Sequence, residues 1–328
     1  MNKMGIYALK ALRRLYSKCF ASKAEVYDRG ITDPDKASEL IYNLLATGKP
    51  CMIARYGSTE MFAITNYLGV TAKHHSAWKY IQGKQFAWWW ENNVKDQMTR
   101  WSGFFPATEE NLMKFGEMMV EDSKQVDILG SWLSTEQYLN EQLKSASRVH
   151  LMQLEPFWGT KPWSRALKGK RVLVVHPFSE TIKTQYNKRH ELFLKDDTLP
   201  DFEVLEVVRA VQSIGGESSY KDWFDALNFM KSEIEKHDFD VCLVGCGAYG
   251  FPLAAHVKRM GKQAVHLGGA LQLLFGIRGN RWEDPNYGVK EWGIPSGTYS
   301  GLSNEYWVRP SKEEKPKTAG QVEGSCYW

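Results

Sequence analysis

Seven short apolar runs of four or five residues recur along this chain with helical patterns between them, and this alternation restricts the fold more than any other feature. The runs are Cys51–Ala54, Val126–Leu129, Val149–Met152, Arg171–Val175, Val204–Val208, Val241–Val244 and Ala264–Leu267. Each reads as a buried strand. Helices are expected near 107–123, 134–144, 180–194, 219–236 and 248–260. Another opens at Asp33-Pro34-Asp35, where an N-cap, a proline in the first turn and an early negative charge coincide. It runs through Leu40, Ile41, Leu44 and Leu45 and closes at Gly48. Strand-helix alternation predicts an α/β, Rossmann-like fold, a mostly parallel sheet with helices on both faces.

Residues 1–30 form a separate element ahead of this domain. Lys3, Lys10, Arg13, Arg14, Lys18 and Lys23 occur with no acid before Glu25, and Ile6, Leu9, Leu12, Tyr16 and Phe20 share one helical face. A basic amphipathic helix of this kind either docks on the domain or rests on an anionic membrane surface through residues 2–23. The Rossmann-like domain spans 31–275. Residues 276–328 lack periodicity, and Tyr287, Trp292, Tyr306, Trp307, Tyr327 and Trp328 make them too aromatic for a solvated tail. They are expected to pack on the domain as an irregular aromatic wrap.

Bulk composition removes several function classes. A net charge of +4 with acids and bases interspersed lacks the basic stripe of a nucleic-acid binder. Five cysteines without a CxxC pair argue against a disulfide framework and for a reducing compartment. No apolar stretch approaches the roughly 20 residues that span a bilayer, and the start lacks a secretory signal. The expected location is the cytoplasm, with peripheral contact at the inner membrane face if the first helix binds lipid.

Three strand ends could carry chemistry. Arg55-Tyr56-Gly57-Ser58-Thr59-Glu60 leaves a strand and enters a helix at about Met61, where free N–H groups and the helix dipole favour an anion. Arg55 could grip a phosphate, and Glu60 could act as a base or hold a divalent metal. The same residues could instead be an N-cap, a helix-dipole charge and its ion-pair partner. Gly245-Cys246-Gly247-Ala248-Tyr249-Gly250 matches the Gly-x-Gly-x-x-Gly turn that brings backbone close to a phosphate. Pro252 follows closely and no acid lies near 264–268 to hold a ribose, so a mononucleotide cleft fits better than a nicotinamide site. His176 follows the fourth strand, and Arg189 lies among the basic residues after it; both are candidates to neutralise a diphosphate. Trp132, Glu155, Trp158 and His266 follow other strand ends and are candidates for the sugar or acceptor side. His74-His75 has no partner at zinc-ligand spacing.

The stretch Ile53-Ala54-Arg55-Tyr56-Gly57-Ser58-Thr59-Glu60 resembles the Arg-Phe-Gly-Asp-Gly-Glu segment of GT-D-type glycosyltransferases. The stretch from Val241 through Gly250, Ala254-Ala255, Gly261 and Ala264–Gly268 resembles that family's last strand-turn-helix-strand unit. Together the two matches bracket about residues 35–270. The resemblance implies a Rossmann-like domain that transfers a sugar from a nucleotide donor, typically UDP-linked, to a bacterial surface-polysaccharide, glycolipid or other glycoconjugate acceptor. It also implies an Asp-x-Glu pair that binds donor and metal, Mn2+ or Mg2+. That pair carries over to Glu60, whereas Ser58 stands at the aspartate's place and is a weaker ligand for a hard cation. Two other readings stay open: a non-catalytic nucleotide- or sugar-binding partner in polysaccharide assembly, and an NAD(P)-dependent oxidoreductase resting on the glycine-rich turn alone.

Overall fold

The structure is a computed structural model that describes residues 2–20, 27–213, 218–316, 318–321 and 325–328. The first helix, α1 (Lys3–Cys19), has no buried residue. Ile6, Leu9 and Tyr16 are half-buried, and the helix is held by a Lys10–Glu91 ion pair and by Arg13 over the Tyr80 ring. Leu12, expected on the same face, stays exposed. Lys23 lies outside the described residues.

Helix α2 (Pro34–Ala46) forms as its caps predict: Asp33 accepts from the Lys36 N–H at 2.9 Å, and Gly48 follows with φ +66°. Strand β1 (Cys51–Ala54) leads into α3 (Ser58–Val70), which starts three residues ahead of the expected Met61. The short helices α4 (Ala77–Ile81) and α5 (Asn92–Arg100), for which no apolar period gave notice, precede α6 (Glu109–Asp122), capped by Thr108. Strands β2 (Ile128–Ser131), β3 (Ser147–His150) and β4 (Arg171–His176) follow.

Two expected helices are different in the structure. Residues 134–144 give only a 3-10 stretch, Ser134–Leu139, because the buried Glu136 carboxylate turns back to accept the Trp132 and Leu133 N–H groups. The 180–194 helix is broken into α7 (Ser179–Tyr186) and α8 (Arg189–Leu192), and Arg189 beyond the break reaches Asp201 at 2.6 Å. The chain continues through β5 (Val204–Arg209), α9 (Trp223–Glu235), β6 (Val241–Val244), α10 (Gly250–Arg259), β7 (Gln263–His266) and α11 (Leu271–Leu274).

All seven strands pair parallel in the order β3-β2-β1-β7-β6-β4-β5. Side chains alternate between two cores, as the strand period requires. Met52, Leu173, Val175, Cys242 and Val244 face α3, α6, α9 and α10, whereas Ile53, Val172, Val174, Leu243 and Val265 face α2, α7 and the C-terminal segment. Trp282, Tyr299, Trp307 and Trp328 of that segment are buried in the second core. Helix α3 therefore leaves β1 toward one face and α11 leaves β7, its neighbour, toward the other. A crevice opens beyond the carboxyl ends where the connections diverge, the usual ligand position in such sheets. Among the described residues no helix is long and apolar enough to cross a membrane.

Candidate functional site

A cleft of about 810 Å³ occupies that crevice, within the range of small-ligand sites. Arg55, Gly57, Ser58, Thr59, Glu60, Trp132, His176, Gly245, Gly247, Tyr249 and His266 all border it, so the ends of β1, β2, β4, β6 and β7 converge on one space.

The β1–α3 turn is fixed from behind. Tyr56 is fully buried, stacks on Phe251 with ring centroids 4.5 Å apart, and donates its hydroxyl to Ser123 at 2.6 Å. Arg55, one residue earlier, is thereby turned toward the cleft, over the Trp132 ring at 5.4 Å. Trp132 is itself pinned by its indole N–H on the Tyr56 carbonyl at 3.0 Å. Among the described residues the Arg55 guanidinium has neither a hydrogen bond nor an ion pair. Burial lowers its pKa from the ordinary arginine value, and Glu60, Tyr327 and Tyr287 act against that shift. A desolvated cation without a bonded carboxylate gains much from an arriving anion.

Glu60 is the third residue of α3, and its carboxylate folds back over the N-cap. A Cβ on Gly57 would lie 1.5 Å from Glu60 Oε2, so a side chain at this position would push the Glu60 carboxylate out of its place. Ser102 donates to Glu60 Oε1 at 2.6 Å in a largely buried setting. Ser58 is exposed at the first helical position and borders the same cleft.

The β6 turn divides its glycines between two tasks. Gly247 has φ +58°, and a Cβ there would meet nothing within 4 Å, so its left-handed backbone faces open cleft. Gly245 sits 2.7 Å, by the same measure, from the Gly268 carbonyl, and Gly250 sits under the His266 ring at 2.2 Å. Those two allow close packing, and Gly250 does not border the cleft. Tyr249 borders it but is held in the core: it stacks on Trp223 at 4.8 Å and its hydroxyl is taken by Ser213 at 2.7 Å. It has no hydroxyl to spare for a phosphate.

Three further expectations are corrected. His176 reaches the cleft, but burial pushes its pKa down to about 3, so it contributes no positive charge. Its Nδ1 accepts the Phe178 N–H at 3.0 Å, which leaves Nε2–H as a neutral donor. Arg189 does not border the cleft; it is paired with Asp201 and lies over the Tyr186 ring at 4.9 Å. Glu155 and Trp158 stand behind the cleft wall. Glu155 Oε2 accepts from the Trp158 indole at 3.0 Å and from the Tyr299 hydroxyl at 2.8 Å. Burial lifts the Glu155 pKa to about 8, against those two bonds and the Arg55 charge. His266, also at the cleft, is held near 3 by burial and by Arg55, with Nδ1 on the Val244 carbonyl at 3.2 Å.

These shifts have a sign that can be measured. Below about 6.5 an unfolded histidine takes up a proton that folded His176 and His266 refuse, so stability falls with acid toward pH 3. Between about 4.5 and 8 folded Glu155 keeps a proton that its unfolded form has lost, so there stability falls as pH rises. Two imidazoles outweigh one carboxyl below 6.5, and the carboxyl acts alone above it. The melting temperature should therefore peak near pH 6.5, and Glu155→Gln should abolish the decline between pH 6.5 and 8 while keeping the acid decline. An unchanged alkaline limb in that variant would show that Glu155 ionises normally.

Two bordering residues, Ser102, which follows no strand, and Arg281, gave no sequence signal, whereas Tyr287, Trp292 and Tyr327 belong to the aromatic wrap expected to pack on the domain. Arg281 lies over the Tyr327 ring at 4.8 Å, and Gly269 makes room for that ring. Only the His266-Leu267-Gly268-Gly269 turn could have announced where the wrap docks.

Among the described residues no three His, Cys, Asp or Glu side chains converge on one point. Glu60 is the single carboxylate of its loop and is already engaged by Ser102. A Mn2+ or Mg2+ ion at this loop would therefore rest on Glu60 and on phosphates of a bound ligand rather than on a cluster of protein carboxylates.

Fold and cleft together define an α/β protein with a seven-stranded parallel sheet and a candidate ligand cleft at its carboxyl edge. More narrowly, the chain belongs to the GT-D fold-like domain family, which matches residues 32–274. No curated protein and no solved structure gives a significant match to it.

Proposed function

We propose that the protein is a glycosyltransferase that takes a UDP-linked sugar as donor and a surface-polysaccharide or other glycoconjugate hydroxyl as acceptor. The observation that carries this reading is Arg55: a desolvated cation without a bonded carboxylate, aimed into a nucleotide-sized cleft beside the α3 N-terminus and the Gly247 turn. Family membership supports sugar transfer as the chemistry.

As the acceptor oxygen bonds to the anomeric carbon, the bond from that carbon to the diphosphate oxygen breaks and negative charge grows on the leaving group. Arg55, the N–H groups at the start of α3 and the Gly247 backbone meet that charge. Glu60 takes the acceptor's proton, with Ser102 holding the carboxylate in place. His176 offers a neutral Nε2–H donor. No step depends on a metal ion.

A thermal-shift panel of UDP, UDP-glucose and NAD(P)H tests this. A UDP-sugar at 100 times its Kd should add about 2.7 kcal/mol of apparent stability. Arg55→Gln should weaken that binding about 10-fold or more, as loss of a charged hydrogen bond worth roughly 1.5–3 kcal/mol requires. A shift with NAD(P)H alone would transfer the glycine-rich turn to the oxidoreductase reading. The second reading, a non-catalytic nucleotide- or sugar-binding partner, is favoured by Ser58 at the aspartate's place, and binding without donor turnover would establish it.

A further inference from the structure

Helix α1 divides its apolar residues between two faces. Ile6, Leu9 and Tyr16 turn toward the domain, where Lys10 pairs with Glu91 and Arg13 covers the Tyr80 ring, so the helix is oriented rather than free. The face this leaves outward carries Met4, Tyr7, Leu12 and Leu15, with relative exposures of 81, 71, 48 and 59%. The spacing of i, i+3, i+8 and i+11 places these four on one side of the helix. Lys3, Arg14 and Lys18 border that side, all exposed, and residues 2–20 hold no acid at all. A contiguous row of large exposed apolar side chains marks an interaction surface.

We propose that this face of α1 docks reversibly on an anionic lipid surface, with Met4, Tyr7, Leu12 and Leu15 in the acyl-headgroup boundary and Lys3, Arg14 and Lys18 on lipid phosphates. Charge chooses this occupant. A second copy of α1 would bring two purely basic edges together, and like charges at that range repel. An anionic surface instead neutralises them, each cation near such a surface strengthening binding about fivefold. One short helix alone binds a bilayer marginally, so the cations and the fixed outward orientation are both needed. The proposal stands apart from the transferase reading, since none of these residues borders the cleft.

The test is co-sedimentation of the full chain with vesicles of equal parts phosphatidylcholine and phosphatidylglycerol, against vesicles of phosphatidylcholine alone. The protein should pellet with the anionic vesicles at low salt, be released as salt screens the contact, and stay soluble with the neutral ones. Replacing Lys3, Arg14 and Lys18 together by Gln should lower partitioning about 100-fold. Leu12→Glu with Leu15→Glu should abolish it while leaving the melting temperature and any UDP-sugar shift unchanged. Failure of the native chain to pellet, or full pelleting of the Leu12/Leu15 variant, would overturn the proposal. So would a native oligomer that the Leu12/Leu15 variant turns into monomer without any vesicle binding, which would assign the face to self-association.

Discussion

Replacing Glu60 by Gln should lower turnover of a UDP-sugar about 10²–10⁴-fold and shift the melting temperature little. The amide fits the same space: one atom still accepts from Ser102 and the other still lies over Gly57. It can no longer take a proton from an acceptor at neutral pH. If Glu60 only completes the helix terminus, the result reverses, with a stability loss of about 0.3–1 kcal/mol and turnover intact. Steady-state release of UDP, read beside thermal denaturation, separates the two. Ser58→Asp sharpens the result. Ser58 is exposed at the first helical position and borders the same cleft as Glu60, so an aspartate there would add a second carboxylate with which the cleft could hold a divalent cation. Turnover in that variant should become dependent on Mn2+. If neither substitution changes binding or turnover, the β1–α3 loop is not the active site.

Sheet and first site loop were readable in the sequence because both are local. Runs such as Val241–Val244 contain nothing but β-forming apolar residues, and their ends agree with β6 in the structure. The second strand begins two residues later than its apolar run; Asp127, just ahead of it, uses its carboxylate to accept from the Met52 N–H and from Lys258, each at 2.7 Å, while its own N–H and carbonyl bond Met52 and Ser147. Helix expectations failed where a side-chain bond overrode the period, at Glu136, which turns back on the Trp132 N–H, and at Arg189, which reaches Asp201. In the cleft, the chain direction of Arg55 through Glu60 follows from one strand end and one helix start. The charge states do not. His176 reads as a basic residue in sequence and is neutral in the fold because burial, which no local pattern encodes, sets its pKa. Tyr287, Trp292 and Tyr327 were recognisable as aromatic residues that must pack on something, but only the tertiary fold gives them a cleft wall.

Deleting residues 311–328 should unfold the domain rather than merely open the acceptor side of the cleft. Helix α7 starts after Phe178, which supplies no side-chain cap. Its free N–H groups are met instead by Glu314, which accepts from Glu180 N–H at 2.7 Å, from Thr181 N–H at 3.4 Å and from the Thr181 hydroxyl. That carboxylate is 2% exposed, so it is as much a core contact as a cap. Losing a cap costs about 0.5–2 kcal/mol. Trp328 and Cys326 go with it, uncovering Phe178, against which the Trp328 ring packs edge-on at 6.0 Å. Removal of a buried tryptophan alone costs about 3–5 kcal/mol. These terms together reach a large share of the 5–15 kcal/mol that holds a typical domain, so the truncated chain should lose its cooperative melting transition and its UDP-sugar shift together. Tyr327→Ala isolates the other role of the segment. Its ring lies at the cleft beside Gly269, so that substitution should keep the transition and change ligand affinity. A truncated protein that still melted cooperatively near the native temperature would show that the wrap is an appendage, and that the second core closes without it.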